Sequence, residues 1–89
     1  MASYSLVRAK VRNFEAWKKA YDAHVSVRKE FGLDEDRLLR NADNPNDVVL
    51  IFKASSHDRA KAFLSDPGVV AAIQKSGTVG LPDVVFLNS

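Results

Sequence analysis

Between residues 14 and 31, Phe14, Trp17, Tyr21, His24, Arg28 and Phe31 follow one another at intervals of three, four, three, four and three. At 3.6 residues per turn, all six fall on one stripe of a helix. The stripe begins apolar and turns polar halfway along. A stripe packed on a core should not place His and Arg among aromatic rings unless they are paired or line a cavity, because an uncompensated buried polar group is costly. Tyr21, His24 and Arg28 are neighbours one turn apart. This pattern points to a pocket in which aromatic side chains hold a flat apolar ligand. His24 can move a proton, since imidazole changes charge in the physiological range. Arg28 can stabilise a developing oxyanion, and Tyr21 can donate or orient. A plainer reading stands beside this one: His24 is a satisfied histidine at the rim of the core, and Arg28 snorkels to the helix end.

Other chemistries find little support. There is no cysteine, which excludes disulfides, thiolate nucleophiles and cysteine metal sites. His57 begins a helix beside Asp58 and reads as a solvated surface residue. Two histidines without an inward acidic cluster make no protein-only metal site, so no metal is expected. No carboxylate pair is placed for hydrolysis, Ser55-Ser56 reads as a helix cap, and the four glycines are too dispersed to cradle a phosphate. Thirteen Lys and Arg against eleven Asp and Glu leave a net charge of +2. Apart from Lys18-Lys19 and Arg28-Lys29 the basic residues are scattered, so no nucleic acid partner is expected. No apolar run approaches the roughly 18 residues of a membrane span, and Met1 to Ser5 lacks the features of a signal peptide. The expected location is the cytoplasm, with no membrane partner.

The elements that must position the stripe follow from the same patterning. Tyr4 to Val11 alternates, with Val7, Ala9 and Val11 on one face and Tyr4, Leu6, Arg8 and Lys10 on the other, which predicts a strand. Asn13 caps a long helix over Phe14 to Phe31, and Gly32 stops it. Arg37 to Ala42 is a short strand, Asp43-Asn44-Pro45-Asn46-Asp47 a dense turn, and Val48 to Ala54 a second strand closing a hairpin. Ser55 or Ser56 caps a helix over His57 to Ser65. Asp66-Pro67 restarts a helix that runs through Val69 to Lys75 until Gly77. Thr78 to Pro82 reads as an ordered loop and Asp83 to Leu87 as the last strand. Residues 1–89 thus form a single α+β domain of ferredoxin-like βαββαβ order, with a four-stranded antiparallel sheet and helices on one face.

The strands predict a partner. Val48, Leu50 and Phe52 oppose Val49 and Ile51, and Val84 and Phe86 oppose Val85 and Leu87, so both sheet faces are apolar. Soluble monomers avoid a large exposed apolar patch. A symmetric homodimer packed sheet to sheet is the expected solution.

The stretch WKKAYDAHVSVRKEFG from Trp17 to Gly32, the turn Asn41 to Asp47 before VVLIFKA, and Ala60-Lys61-Ala62-Phe63-Leu64 leading to Ser76-Gly77 resemble the dimeric α+β barrel superfamily. The resemblance runs essentially end to end and is strongest to short members labelled cyclase-like or antibiotic-biosynthesis-monooxygenase-like. That superfamily includes cofactor-independent monooxygenases, polyketide cyclases, muconolactone isomerases and haem-degrading enzymes, besides proteins without known activity. It implies a cavity between helices and concave sheet, where the stripe also points. The Asn–Trp–His set of haem degradation is absent in recognisable spacing, so haem is not expected, and the Asn–Trp–Tyr–Arg set of the cofactor-independent monooxygenases is not matched in order; no cofactor is expected. The combined expectation is an enzyme acting on an aromatic or polyketide-like substrate by proton transfer, as a cyclase or isomerase ahead of a monooxygenase. His24 is its base, Tyr21 and Arg28 its polar partners, and Phe14, Trp17 and Phe63 its substrate-binding walls. The alternative is a non-catalytic homodimeric module that binds a small aromatic ligand or a protein.

Overall fold

The alternating segments pair as one antiparallel sheet in the computed structural model, which describes residues 2–89. The strands are β1 (Ser3–Val11), β2 (Leu33–Arg40), β3 (Asp47–Ala54) and β4 (Thr78–Asn88). The helices are α1 (Phe14–Ala23), α2 (Val25–Glu30), α3 (His57–Ser65) and α4 (Pro67–Lys75). Sheet order is β2-β3-β1-β4, the ferredoxin-like arrangement. The ladder pairs Val7 with Leu50 and Val84, and Ser5 with Phe52 and Phe86. These residues therefore share one face, and the helices cover it. The core is Val7, Val11, Trp17, Leu33, Val48, Leu50 and Phe52 with Ala54 and Ala60.

Local chemistry fixes the element starts. Asn13 Oδ1 accepts the Ala16 N–H at 3.0 Å, Ser56 Oγ accepts that of Arg59 at 3.2 Å, and Asp66 Oδ2 accepts that of Val69 at 3.1 Å. Of the two candidate serines, Ser56 is the cap. Gly32 has φ +74°, and a side chain there would collide with Ser55.

Three boundaries differ from expectation. The long helix is interrupted at His24, whose φ of −106° and ψ of 17° separate α1 from α2. The His24 N–H turns back to Tyr21 O at 3.2 Å, which strands the Ala20 carbonyl, and the His24 ring itself takes that carbonyl at 2.8 Å. Because only one residue is lost, the stripe keeps its phase. Strand β2 begins at Leu33, not Arg37, and ends at Arg40. A register shift between Glu35 and Arg37 bulges Asp36 out of the ladder, and this together with the charged run Asp34 to Arg37 hides the alternation. Finally, Thr78 to Pro82 is no separate loop. Thr78 and Val79 pair with Val11 and Lys10, and a bulge follows before Asp83 pairs with Arg8. Gly80, at φ +69°, and Pro82, which has no N–H to donate, sit in that irregular part.

The opposite sheet face carries Leu6, Leu39, Val49, Ile51, Val85 and Leu87, as the register requires. Leu39, Val85 and Leu87 are 45%, 50% and 38% exposed, so this apolar face is uncovered in the single chain. At its margin the Arg8 guanidinium grips the Asp47 carboxylate at 3.0 and 2.6 Å, and Asn41 Nδ2 donates to the same carboxylate at 3.0 Å. The Arg8 bond, followed by the Asn41 bond and the Arg8 and Lys10 charges, outweighs burial and lowers the Asp47 pKa from 3.8 to about 2. A carboxyl that binds its proton more weakly when folded stabilises the fold above its ordinary pKa. That contribution disappears as pH falls through the folded value. The melting temperature of the wild type should therefore drop between pH 4 and pH 2 more steeply than that of Asp47→Asn. Parallel pH profiles in thermal melts would refute the assignment.

Candidate active site

A cavity of about 380 Å³ lies between the helices and the sheet, within the range of about 300–1,000 Å³ typical of small-molecule sites. Val7 and Ala9 of β1 and Leu50 and Phe52 of β3 form its floor. One wall is Trp17, Tyr21, His24 and Arg28. The other comes from α3 and α4, through Phe63, Leu64, Val69, Ala72 and Ile73.

The stripe of aromatic and polar residues is thus brought together, except at its two ends. Phe14 stands outside the lining. Its ring lies 5.8 Å from Trp17 and carries the Arg40 guanidinium at 3.7 Å, so it backs the wall. Phe31 also stands outside, beyond α2, with its ring edge-on to Phe63 at 5.5 Å. Phe63 itself lines the cavity.

Tyr21 is the hub of the first wall. Its ring stacks on Trp17 at 4.9 Å, approaches Phe52 at 6.5 Å and holds the Arg28 guanidinium at 3.7 Å. Its hydroxyl donates to Glu35 Oε1 at 2.9 Å. Burial first, and then this bond, push the Tyr21 pKa well above the ordinary phenol value. The phenol therefore keeps its proton at neutral pH. Its hydrogen is committed to Glu35.

His24 sits at the α1–α2 break, exposed but on the cavity lining. Its Nδ1 lies 2.8 Å from Ala20 O. A carbonyl can only accept, so this bond requires the proton on Nδ1. In the neutral ring Nε2 then keeps its lone pair, the arrangement of a general base. Arg28 is buried and donates from Nη1 to Tyr21 O at 2.7 Å, close by in the chain. At the helix break two polar side chains thus turn back onto carbonyls in the last turn of α1.

Sequence reading missed several members. Val69, Ala72, Ile73 and Ser76 carry the i, i+3, i+4, i+7 signature of an inward helix face, a signal that was present. Ser76 Oγ donates to Ile73 O at 2.5 Å and lies 3.1 Å from Thr78 Oγ1, so these lining hydroxyls satisfy each other. Glu35 escaped notice because the Asp36 bulge sets which face it occupies. His57 is half-buried, not solvated: its Nε2 donates to Leu87 O at 2.9 Å and ties α3 to β4. Among the described residues no three His, Cys, Asp or Glu side chains are grouped to hold a metal, and no helix is long and apolar enough to cross a membrane.

No protein-family model matches the sequence. No curated protein sequence matches it either. Solved structures do share its shape. The cofactor-independent oxygenase SnoaB from Streptomyces nogalater superimposes with a TM-score of 0.76 at 16% identity, over 99% of this chain and 92% of that one. A putative antibiotic biosynthesis monooxygenase from Nitrosomonas europaea gives 0.73 at 18% identity, over 99% and 89%. Another from Bordetella bronchiseptica gives 0.80 at 11%, over 99% and 96%. The chain therefore has the ferredoxin-like fold of the antibiotic biosynthesis monooxygenase structures. At such identities the likeness establishes fold alone.

Proposed function

We propose that this chain is a small cofactor-independent enzyme that removes a proton from an aromatic or polyketide-like substrate bound between the helices and the sheet. The observation that carries this reading is the His24 ring. Ala20 O holds its Nδ1–H, which leaves Nε2 as the acceptor of a ring that lines a largely apolar cavity. Substrate rings pack against Trp17 and Phe63, and the Arg28 charge favours the anion that forms. That anion can cyclise or isomerise, which the two-sided apolar pocket suits by shaping a flexible or planar carbon skeleton. Oxygenation is the alternative fate of the same anion, favoured by the likeness to SnoaB, itself described as a cofactor-independent oxygenase.

The working unit is a homodimer in this reading. The uncovered face of Leu6, Leu39, Val49, Ile51, Val85 and Leu87 packs against its copy, because a water-exposed apolar sheet is unfavourable. Light scattering at micromolar concentration should give the mass of two chains, and the mass of one would refute the dimer.

A thermal-shift screen with planar aromatic acids and phenols tests the cavity. A ligand present at ten times its Kd stabilises by about 1.4 kcal/mol, which raises the melting temperature of a chain this size by roughly 5–10 °C. If no ligand shifts the melt and His24→Ala is more stable than wild type, the enzyme gives way to a non-catalytic homodimeric module that binds a protein.

A further inference from the structure

Arg28 is the only Lys or Arg on the cavity lining. It is 6% exposed, and neither ion pair among the described residues includes it. Its guanidinium makes one hydrogen bond within the chain, from Nη1 to the Tyr21 carbonyl. A buried cation without an anionic partner is expensive to maintain. Neither Asp66, on the lining, nor Glu35, which accepts the Tyr21 hydroxyl, forms an ion pair with it.

The geometry of the guanidinium narrows what completes it. The Nη1 bond and the stack on Tyr21 at 3.7 Å fix its plane. That leaves the Nε–Nη2 edge with two parallel N–H groups and no partner in the chain. Among the described residues no fully buried side-chain nitrogen lacks a partner, so this edge meets accessible space. Two parallel N–H donors match the two oxygens of a carboxylate.

We infer that the cavity is built for an aromatic acid, its rings against Trp17 and Phe63 and its carboxylate held side-on by Arg28. This rests on the proposed ligand-binding cavity but not on the cavity being catalytic. It adds a permanent anion to the ligand, distinct from any charge formed during reaction.

Calorimetric titration with 2-naphthoate and its neutral isostere 2-naphthamide separates the possibilities. Wild type should bind the acid at least about tenfold more tightly than the amide, as a charge-assisted bidentate pair allows. Arg28→Gln should lose that preference by weakening the acid while leaving the amide within about threefold. His24→Gln should retain it, which shows that the imidazole is not the anion receptor. Arg28→Lys, which keeps the charge but not the fork, should fall between wild type and Arg28→Gln, and it decides the matter if Arg28→Gln fails to fold. Equal binding of acid and amide by wild type, or a full preference in a folded Arg28 variant, overturns the inference while sparing the cavity. Binding of neither probe overturns both. A preserved preference in a protein without turnover supports the inference and contradicts only the enzyme.

Discussion

Replacing His24 by Ala should slow solvent-deuterium exchange at the acidic benzylic C–H of a benzo-fused ketone such as 2-tetralone by at least about 100-fold, the lower end of what a positioned acid–base group contributes. The expectation follows from one hydrogen bond. Ala20 O fixes the Nδ1–H tautomer and so leaves Nε2 as the acceptor of a ring that lines the cavity. Exchange is the right readout because it reports proton removal, whether the resulting anion cyclises, isomerises or meets oxygen. The fold should survive, because His24 is exposed and the lost bond is worth no more than about 1 kcal/mol. A folded His24→Ala protein that exchanges at the wild-type rate places the base elsewhere.

Trp17→Ala should produce the largest loss of stability. The indole is 5% exposed, belongs to the core and stacks on Tyr21, which in turn carries Arg28. Truncating a buried Trp costs about 3–5 kcal/mol. A chain of this length has roughly 4–13 kcal/mol in total, and each kcal/mol moves the melting temperature by about 4–8 °C. A fall of at least about 12 °C, or outright unfolding, is expected in a thermal melt. A fall of under about 3 °C would show that the indole is not a core member, and the first wall of the cavity would lose its support.

These two residues also show how far the sequence could be read. The three- and four-residue spacing that placed Trp17 and His24 on one stripe survives in the structure, because the break at His24 removes a single residue and leaves the phase intact. The break itself left no mark in the pattern. It depends on where the His24 ring and the Arg28 guanidinium find carbonyls, which periodicity does not encode. The apolar second sheet face was legible because Val49, Ile51, Val85 and Leu87 alternate with core residues on two strands. Glu35 was hidden for the opposite reason: one bulged residue, Asp36, shifts the alternation of β2 partway along. The far wall was half legible. Val69 to Ser76 has a clear inward face, yet its facing the stripe across a cavity depends on how the sheet spaces the two helix pairs on its one covered face, and no local signal carries that.

Planar aromatic ligands should enter the cavity and not the apolar sheet face, which is the other surface able to attract them wherever the dimer leaves it open. Backbone amide chemical-shift mapping with 2-naphthol distinguishes the two directly. Entry into the cavity should concentrate the shifts at Tyr21, His24, Arg28, Val69 and Ala72 and at the Trp17 indole N–H. Shifts confined to Leu39, Val49 and Val85, or no saturable shifts at all, would contradict it.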